Sequence, residues 1–336
     1  MHRALQIARL GLERVAPNPL VGCVILHPEN GLIGEGWHRC FGMAHAEVNA
    51  IQSVKKPDLL PDSFLFVTLE PCSHFGKTPP CSNLIIQTRF ASVFICNVDP
   101  NPLVNGKGIN AIASAGIPVE FGILESEGLE LNRVFFTAQR KKRPFITLKW
   151  AQTADGFIGK NEGKPLVISS AESHLLVHKM RACHQAIFAG RNTLRKDNPM
   201  LNLRSWPGRQ PVRVISDPAS GLSKELNVFT DQSSPTWILN PEKEETLGNH
   251  RYLVCPDPDS PEEMSNLLFR NGIHSLLVEG GNQVLHKFIQ AGLWDEIIVF
   301  TSPLILGEGI PAPALPLVQP HEMKRIGPDY MRIYRR

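Results

Sequence analysis

Aromatic residues are scarce, making up 7% of the 336 residues, with only three tyrosines. An excess of either charge is missing too: 35 Lys and Arg stand against 32 Asp and Glu, for a formal net charge of +3. A surface that grips a polynucleotide combines a basic groove with stacking aromatics, so the composition excludes nucleic acid as the expected partner and favours a small ligand. No run approaches the roughly 18 apolar residues that a membrane helix needs. The opening MHRALQIARLGLERV carries three arginines in an amphipathic pattern where a secretory signal would have an apolar core. A cytoplasmic chain with no membrane partner is therefore expected. The seven cysteines are odd in number and scattered from Cys23 to Cys255. That argues against a disulfide framework and makes any clustered thiols candidate metal ligands.

What is present is enough apolar content, 42%, to give two domains a core each. Leu5, Ala8, Leu12 and Val15 recur at helical spacing and predict a first helix that Pro17 and Pro19 end. Val21 to Leu26 and Leu32 to His38 read as strands around an Asn30-Gly31 turn. A helix from about Ala44, a strand Phe64 to Leu69, a helix after Cys81, a strand Val93 to Val98, a helix near Ile109 to Ala115 and a strand about Ile117 to Gly122 follow. The pattern is that of a three-layer α/β/α domain. Four consecutive basic residues, Arg140 to Arg143, precede Pro144 and read as a solvated hinge, so the domains are drawn as 1–143 and 144–336. The second half is again α/β, with strands at Phe145 to Ala151, Ala186 to Ala189, Val212 to Ser216, Thr236 to Leu239, Ile273 to Val278 and Glu296 to Phe300. Ser169 with Glu172 predicts a capping box, and Asn271-Gly272 closes a helix that begins near Pro261.

The most informative feature is His45-Ala46-Glu47 followed by Pro71-Cys72 and Cys81. One imidazole and two thiolates supply three zinc ligands and leave a fourth position for water, which distinguishes a catalytic zinc from a closed structural one. Both ligand groups fall where helices are predicted to begin, and the positive end of a helix favours thiolates. Glu47 would be redundant in a structural site, whereas a metal-activated water needs a nearby carboxylate to carry its proton to a leaving amine.

This set resembles the zinc-dependent cytidine deaminase superfamily, whose signature is His-x-Glu with Pro-Cys-x-x-Cys. Here, however, eight residues separate the cysteines. That longer spacing, in Pro71-Cys-Ser-His-Phe-Gly-Lys-Thr-Pro-Pro-Cys81, together with Asn18-Pro-Leu-Val-Gly22, is similar to the bifunctional deaminase/reductase family of riboflavin biosynthesis. The resemblance runs from about Leu5 to about Pro311. It implies a cytidine deaminase-like domain followed by a dihydrofolate reductase-like domain, Zn2+ and NADPH as cofactors, a phosphorylated pyrimidine as substrate, and a homo-oligomer, dimer or tetramer. Asn18 could read a pyrimidinone edge, although a turn-forming Asn before proline is an equally ordinary role. His38, His74 and Lys77 offer cationic or hydrogen-bonding groups near the metal, and Asp99 and Asn101 would share that rim if the strands before them are parallel.

In the second half no Gly-x-Gly-x-x-Gly fingerprint follows a strand, but Val278-Glu279-Gly280-Gly281-Asn282 places paired glycines at a strand-to-helix turn that could face a pyrophosphate. Lys149 to Gly156 and Thr193 to Arg204 resemble reductase segments of the same family. By that resemblance Gln152, Val167, Thr193, Asp197, Gly280, Gly281, Asn282, Gln283 and Val284 contact the nicotinamide cofactor, and Arg181, Leu201, Arg204 and Glu279 hold the ribosyl phosphate. Where the family often has a tryptophan and a serine, this chain has Pro165 and Val167. Lys149 and Asp155 are candidate proton donors, although a strand-end lysine and an Asp-Gly turn explain them equally well. Two other readings compete: a nucleoside or tRNA deaminase with a recognition domain, and a closed structural zinc module joined to a reductase-like binding domain.

Overall fold

In the computed structural model the described residues are 1–73, 79–102, 104–162 and 166–336, and the chain divides into two compact units, Met1–Lys141 and Lys142–Arg336. The first unit holds helices α1 (His2–Ala8), α2 (Ala46–Gln52), α3 (Cys81–Thr88), α4 (Lys107–Ser114), α5 (Glu125–Leu131) and α6 (Arg133–Lys141). Its strands are β1 (Gly22–His27), β2 (Gly31–Trp37), β3 (Phe64–Leu69), β4 (Ser92–Asn97) and β5 (Val119–Phe121), in the order β2-β1-β3-β4-β5. β1 runs antiparallel to β2 and β3, whereas β3, β4 and β5 are parallel.

Because successive strand residues face opposite ways, Cys23, Ile25, Leu65 and Val67 pack with Ala46 and Ala50 of α2, Ile85 of α3 and Ile112 of α4. Val24 and Phe66 face the other side with Ala4 and Ile7 of α1. This is the expected three-layer arrangement. Gly34 and Gly36 in β2 let α2 lie directly on the strand: a Cβ at Gly34 would stand 2.6 Å from Val54 Cγ2, and one at Gly36 would fall on the backbone of Asn49 and Ala50.

The second unit has strands β6 (Phe145–Gln152), β7 (Phe157–Gly159), β8 (Ala186–Ala189), β9 (Val212–Ser216), β10 (Thr236–Asn240), β11 (Glu245–Leu247), β12 (His250–Val254), β13 (Ser275–Val278), β14 (Glu296–Thr301), β15 (Ile310–Pro311), β16 (Glu322–Ile326) and β17 (Asp329–Arg335). Its helices are α7 (Ala171–Cys183), α8 (Arg191–Asp197), α9 (Asn227–Thr230), α10 (Pro261–Arg270) and α11 (Asn282–Gln290). A ten-stranded sheet runs β11-β12-β10-β9-β8-β13-β6-β14-β17-β16, parallel from β12 to β14 and antiparallel at both edges. Its central strands are buried on both faces, which is why they read as continuous apolar runs.

Several local expectations are corrected. The first helix ends at Ala8 and passes into a 3-10 turn, Arg9–Gly11; Leu12 has left helical geometry, Glu13 has φ +74°, and Leu12 is exposed. The cap of α7 is Ser170, whose hydroxyl accepts from Ser173 N at 3.2 Å, one residue later than the Ser169 box. The basic run is not simply a solvated hinge. Arg140 and Lys141 form the last turn of α6, and Arg143 makes a two-pronged ion pair with buried Asp295 at 2.5 and 2.9 Å. Among the described residues no helix is long and apolar enough to cross a membrane.

Candidate metal centre and cofactor groove

His45 is the cap residue immediately before α2, Cys81 opens α3, and Cys72 lies in the irregular segment after β3. His45 Nδ1 stands 3.4 Å from Cys81 Sγ and 3.6 Å from Cys72 Sγ, and the three ligand atoms all lie within 4.8 Å of one another. Zinc bonds of about 2.1 Å to nitrogen and about 2.3 Å to sulfur, at tetrahedral angles, put those atoms about 3.6 Å apart, so the residues fit the ion. A hydrogen bond from the Cys81 thiol holds Cys72 down to about 4 against the effect of burial, with His45 and the Cys81 N–H assisting; Cys81, sharing that proton, is pushed up. The His45 ring is raised by its contact with Cys72.

Glu47 is 3% exposed, and its Oε2 has no hydrogen-bond partner among the described residues. Burial pushes its carboxyl up. A buried polar atom left unpaired is costly unless something else meets it, so Glu47 is the group of this site with capacity to spare.

Around this centre the expected residues divide. His38 is 3% exposed, and its ring meets His45 edge-on at 5.6 Å. Its Nδ1 lies 3.1 Å from Ala44 O and its Nε2 3.1 Å from Asn18 Nδ2, so the neutral ring donates to the carbonyl and accepts from the amide. Burial lowers its pKa, in keeping with that neutral form. Asp99 and Asn101 follow β4, and since β3 and β4 are parallel they share the rim with Cys72. His74 and Lys77 lie outside the described residues.

Two residues that the sequence reading missed hold this rim. Buried Glu70 accepts from the backbone N–H groups of Asp99, Gly106, Gly108 and Ile109 at 2.9 to 3.4 Å, tying the loop after β4 to the residue before Pro71-Cys72. Asn132 binds Leu20 in both directions, at 2.7 and 2.9 Å, and so fixes the turn that carries Asn18. The signal for Glu70 was its place at a strand end next to a ligand; Asn132 offered none, being 112 positions from its partner. A Cβ at Gly108 would fall on the Pro71 carbonyl oxygen. Gly108→Ala is expected to destabilise the first unit by about 1–3 kcal/mol and to lower the zinc bound per chain, as read by thermal melting and metal analysis. If both stay at wild-type levels, this packing does not position Cys72.

In the second unit the glycine turn after β13 is as expected. Gly281 caps α11, a Cβ at Gly280 would stand 2.9 Å from Val284, and one at Gly190 2.5 Å from the same side chain. A Cβ at Gly281 would lie 3.1 Å from the Thr193 hydroxyl. These glycines bring α8 and α11 together along a groove of about 370 Å³ lined by Thr193, Asp197, Gly281, Asn282, Gln283 and Val284. The cradle fits a dinucleotide, whose pyrophosphate needs close backbone approach at a helix start. Gln152 and Val167 are not among the residues lining the groove: the Gln152 amide accepts from Trp150 Nε1 at 2.8 Å, and Val167 is 72% exposed. Pro165 lies outside the described residues.

Beside the groove Arg181 forms a buried two-pronged pair with Glu279 at 2.8 and 2.9 Å and donates to Asn202 O at 2.9 Å. Burial alone would raise Glu279, but Arg181 outweighs it and holds the carboxyl at about 2. Lys149 is pushed down by burial, with Glu279 opposing. His178 is held down to about 4, first by burial and then by Arg181 and Arg204; His174 is lowered by burial and then by Lys149, Arg181 and Arg204. Arg204 is exposed, whereas Leu201, with φ +47°, turns its side chain into the core. Asp155, offered as a proton donor, is instead a clamp. It accepts from Thr153 Oγ1 at 2.5 Å and from the Leu306 and Gly307 amides at 3.0 and 2.7 Å, and the Thr153 bond lowers its pKa.

Residues 1–97 match the family model of the cytidine and deoxycytidylate deaminase zinc-binding region, and residues 144–331 that of the RibD C-terminal domain. The chain is 38% identical over 350 residues to the riboflavin biosynthesis protein RibD of Bacillus amyloliquefaciens, covering 98% of this chain and 93% of the relative. Against that of Aquifex aeolicus the identity is 39% over 317 residues, covering 92% and 88%. Among solved structures, a diaminohydroxyphosphoribosylaminopyrimidine deaminase/5-amino-6-(5-phosphoribosylamino)uracil reductase from Thermotoga maritima superposes with TM-score 0.89 at 36% identity, covering 100% and 97% of the two chains. Acinetobacter baumannii RibD superposes with TM-score 0.90 at 30% identity, covering 99% and 96%.

Proposed function

The chain belongs to the RibD family of riboflavin biosynthesis proteins, with a zinc-binding deaminase unit and an NADPH-dependent reductase unit, and we propose how its own residues divide that work. Its substrate is a small molecule. We take this to be the phosphoribosylamino-pyrimidine that the names of its relatives describe, hydrolysed to the uracil with loss of ammonia and then reduced from ribosyl to ribityl. The boundary is taken at 143/144, supported by the division into compact units near Lys141.

His45, Cys72 and Cys81 would hold Zn2+, which when bound supplies a water of lowered pKa. Glu47 takes a proton from the attacking water at its Oε2 and returns it to the departing amine. The single observation that carries this is the tetrahedral spacing of the three ligand atoms with that unpartnered oxygen beside them. Asn18, oriented by His38 and by the Asn132 brace, binds the pyrimidinone edge. Asp99 and Asn101, on the loop that Glu70 secures, complete the substrate rim, and His74 and Lys77, which lie outside the described residues, are assigned to the substrate by the family resemblance alone.

In the second unit NADPH supplies a hydride when bound. Thr193, Asp197 and residues 280–284 would hold it in the groove, whereas Gln152 and Val167, which the resemblance also assigns to the cofactor, stand outside the groove's lining. Arg181, Glu279, Leu201 through its backbone, and Arg204 form the substrate side. The support is electrostatic: the three cations Lys149, Arg181 and Arg204 act on His174 and His178 against the two carboxylates of Glu279 and Asp329, so the pocket favours a phosphorylated ligand. We place the chain in the cytoplasm, supported by its seven free cysteines, and as a homo-oligomer, supported by the exposed Met323 on the edge strand β16 and Tyr330 on its neighbour β17.

The test uses the full-length protein and the phosphorylated diaminopyrimidinone. One ammonia per substrate should appear without NADPH, and one NADPH should be oxidised when it is added. Chelating the metal should stop the first step and spare the second on the deaminated product. Ammonia release that survives complete removal of zinc would end the assignment.

A further inference from the structure

Asn202 lies in the loop between α8 and β9 and is buried, at 4% exposed. A buried amide is stable only when both of its ends find partners, and here both do. Nδ2 donates to Asp231 Oδ2 at 2.9 Å and to Ser233 Oγ at 3.2 Å, while Oδ1 accepts from Arg204 Nη1 at 3.3 Å. The backbone carbonyl of the same residue accepts from Arg181 Nη1 at 2.9 Å. One residue thus meets both guanidinium groups of the substrate side, Arg181 from α7 and Arg204 from its own loop.

What holds Asn202 is itself held by the sheet. Arg213 of β9 has a side chain with 0% exposure. Its Nη1 donates to Asp231 Oδ2 at 3.1 Å and to Met200 O at 3.3 Å, and its Nη2 to the carbonyls of Asp231, at 2.6 Å, and Ser234. Leu201, at φ +47°, turns the chain between these ties, so Met200 and Asn202 both reach the Arg213–Asp231 pair while the Leu201 side chain enters the core. Gln210 binds Leu203 in both directions at 2.7 Å, and Arg204 N donates to His178 Nδ1 at 3.4 Å. A chain of hydrogen bonds therefore runs from the sheet through Asp231 and Asn202 to Arg204.

We propose that Asn202 is a positioning residue of the reductase, which sets Arg181 and Arg204 together as one fork for the phosphate of the substrate. The inference rests on the reading of those two arginines as the substrate side. Two guanidinium groups repel each other, and Arg204 is exposed, so without a tether it would turn into solvent and be ordered only on binding. A neutral amide oxygen tethers it and leaves its charge for the ligand, whereas a carboxylate in that place would neutralise it. Planar forks fixed in advance match phosphate oxygens, and ordering one long side chain beforehand is worth up to about tenfold in affinity.

The experiment follows NADPH oxidation by the full-length protein on the deaminated phosphorylated substrate and on its dephosphorylated counterpart. Wild type should favour the phosphorylated compound by about a hundredfold or more in kcat/KM. Asn202→Ala should cut that preference by about tenfold, as a rise in KM with kcat within about twofold, and leave KM for NADPH and kcat/KM for the dephosphorylated compound unchanged. Because the side chain acts through Arg204, adding Asn202→Ala to Arg204→Ala should lower the preference no further. Asn202→Ser, whose oxygen stands nearer the backbone than Oδ1 and does not reach Arg204, replaces the alanine variant if that protein fails to fold; thermal melts check both. An unchanged preference in the folded variant, equal weakening on both compounds, or a further loss in the double variant overturns the proposal. A wild type that treats the two compounds alike overturns instead the reading of Arg181 and Arg204 as the substrate side, and this inference with it.

Discussion

Glu47→Gln should reduce ammonia release from the phosphorylated diaminopyrimidinone by about 10³-fold or more, while NADPH oxidation on the deaminated product stays at the wild-type rate. The size follows from the usual worth of a positioned proton carrier, about 10² to 10⁴. The substitution keeps the shape and the burial of the side chain, and Oε2 has no hydrogen-bond partner among the described residues whose loss could unfold the site. An amide cannot accept a proton from water and pass it on, so only the chemistry is removed. Zinc content measured alongside should be unchanged, because the ligand atoms belong to His45, Cys72 and Cys81. Deamination within about twofold of wild type, at equal zinc, would show that another group carries the proton.

The second large effect concerns Glu279. Removing one partner of a buried, hydrogen-bonded pair leaves a charge without compensation and costs about 3–5 kcal/mol. Arg181 and Glu279 have side chains only 11% and 9% exposed, so Glu279→Ala should lower the melting temperature of the second unit by about 6–20 °C at the usual 2–4 °C per kcal/mol. Reductase turnover should fall with it, since Arg181 would no longer be held in place.

The same cluster sets an acid limit. Glu279 is held at about 2, below its ordinary 4.5, so its contribution is complete above pH 4.5 and is lost as the pH falls toward 2. His178 is held at about 4, below its ordinary 6.5, so the folded unit resists its protonation and loses stability as the pH falls from 6.5 to 4. Urea midpoints of the second unit should therefore decline in two stages below pH 6.5. In Glu279→Gln the lower stage should disappear. A flat midpoint from pH 7 to pH 4 would contradict the burial of His178.

How much of this was legible follows from where each signal lies along the chain. Phe64–Leu69, Ala186–Ala189 and Val212–Ser216 match the strands read from sequence, because a strand buried on both faces is a short apolar run between turn residues. β11, β12 and β15–β17 escaped for the opposite reason. β11, β15 and β16 are short or edge strands such as Glu322–Ile326, whose exposed charged residues leave no period to read, and β12 and β17 lie one place in from the two edges, where polar residues such as His250, Arg251, Arg332 and Arg335 break up the apolar run. The first helix was drawn too long because its apolar spacing continues past Ala8, while the backbone leaves helical geometry at Leu12 and Glu13, before either proline.

The sequence by itself determined the chemistry of the first site: which residues are metal ligands and which acid stands beside them, since donor type and spacing are local properties of the chain. It determined the glycine turn of the second unit for the same reason. Only the tertiary structure decided what completes these sites: that Glu70 secures the rim beside Cys72, that His38 spends both ring nitrogens on Ala44 and Asn18, and that Asn202 meets Arg181 and Asp231. Each of these is a hydrogen bond between residues far apart in the chain, and no residue's own identity specifies a partner that folding alone brings within reach.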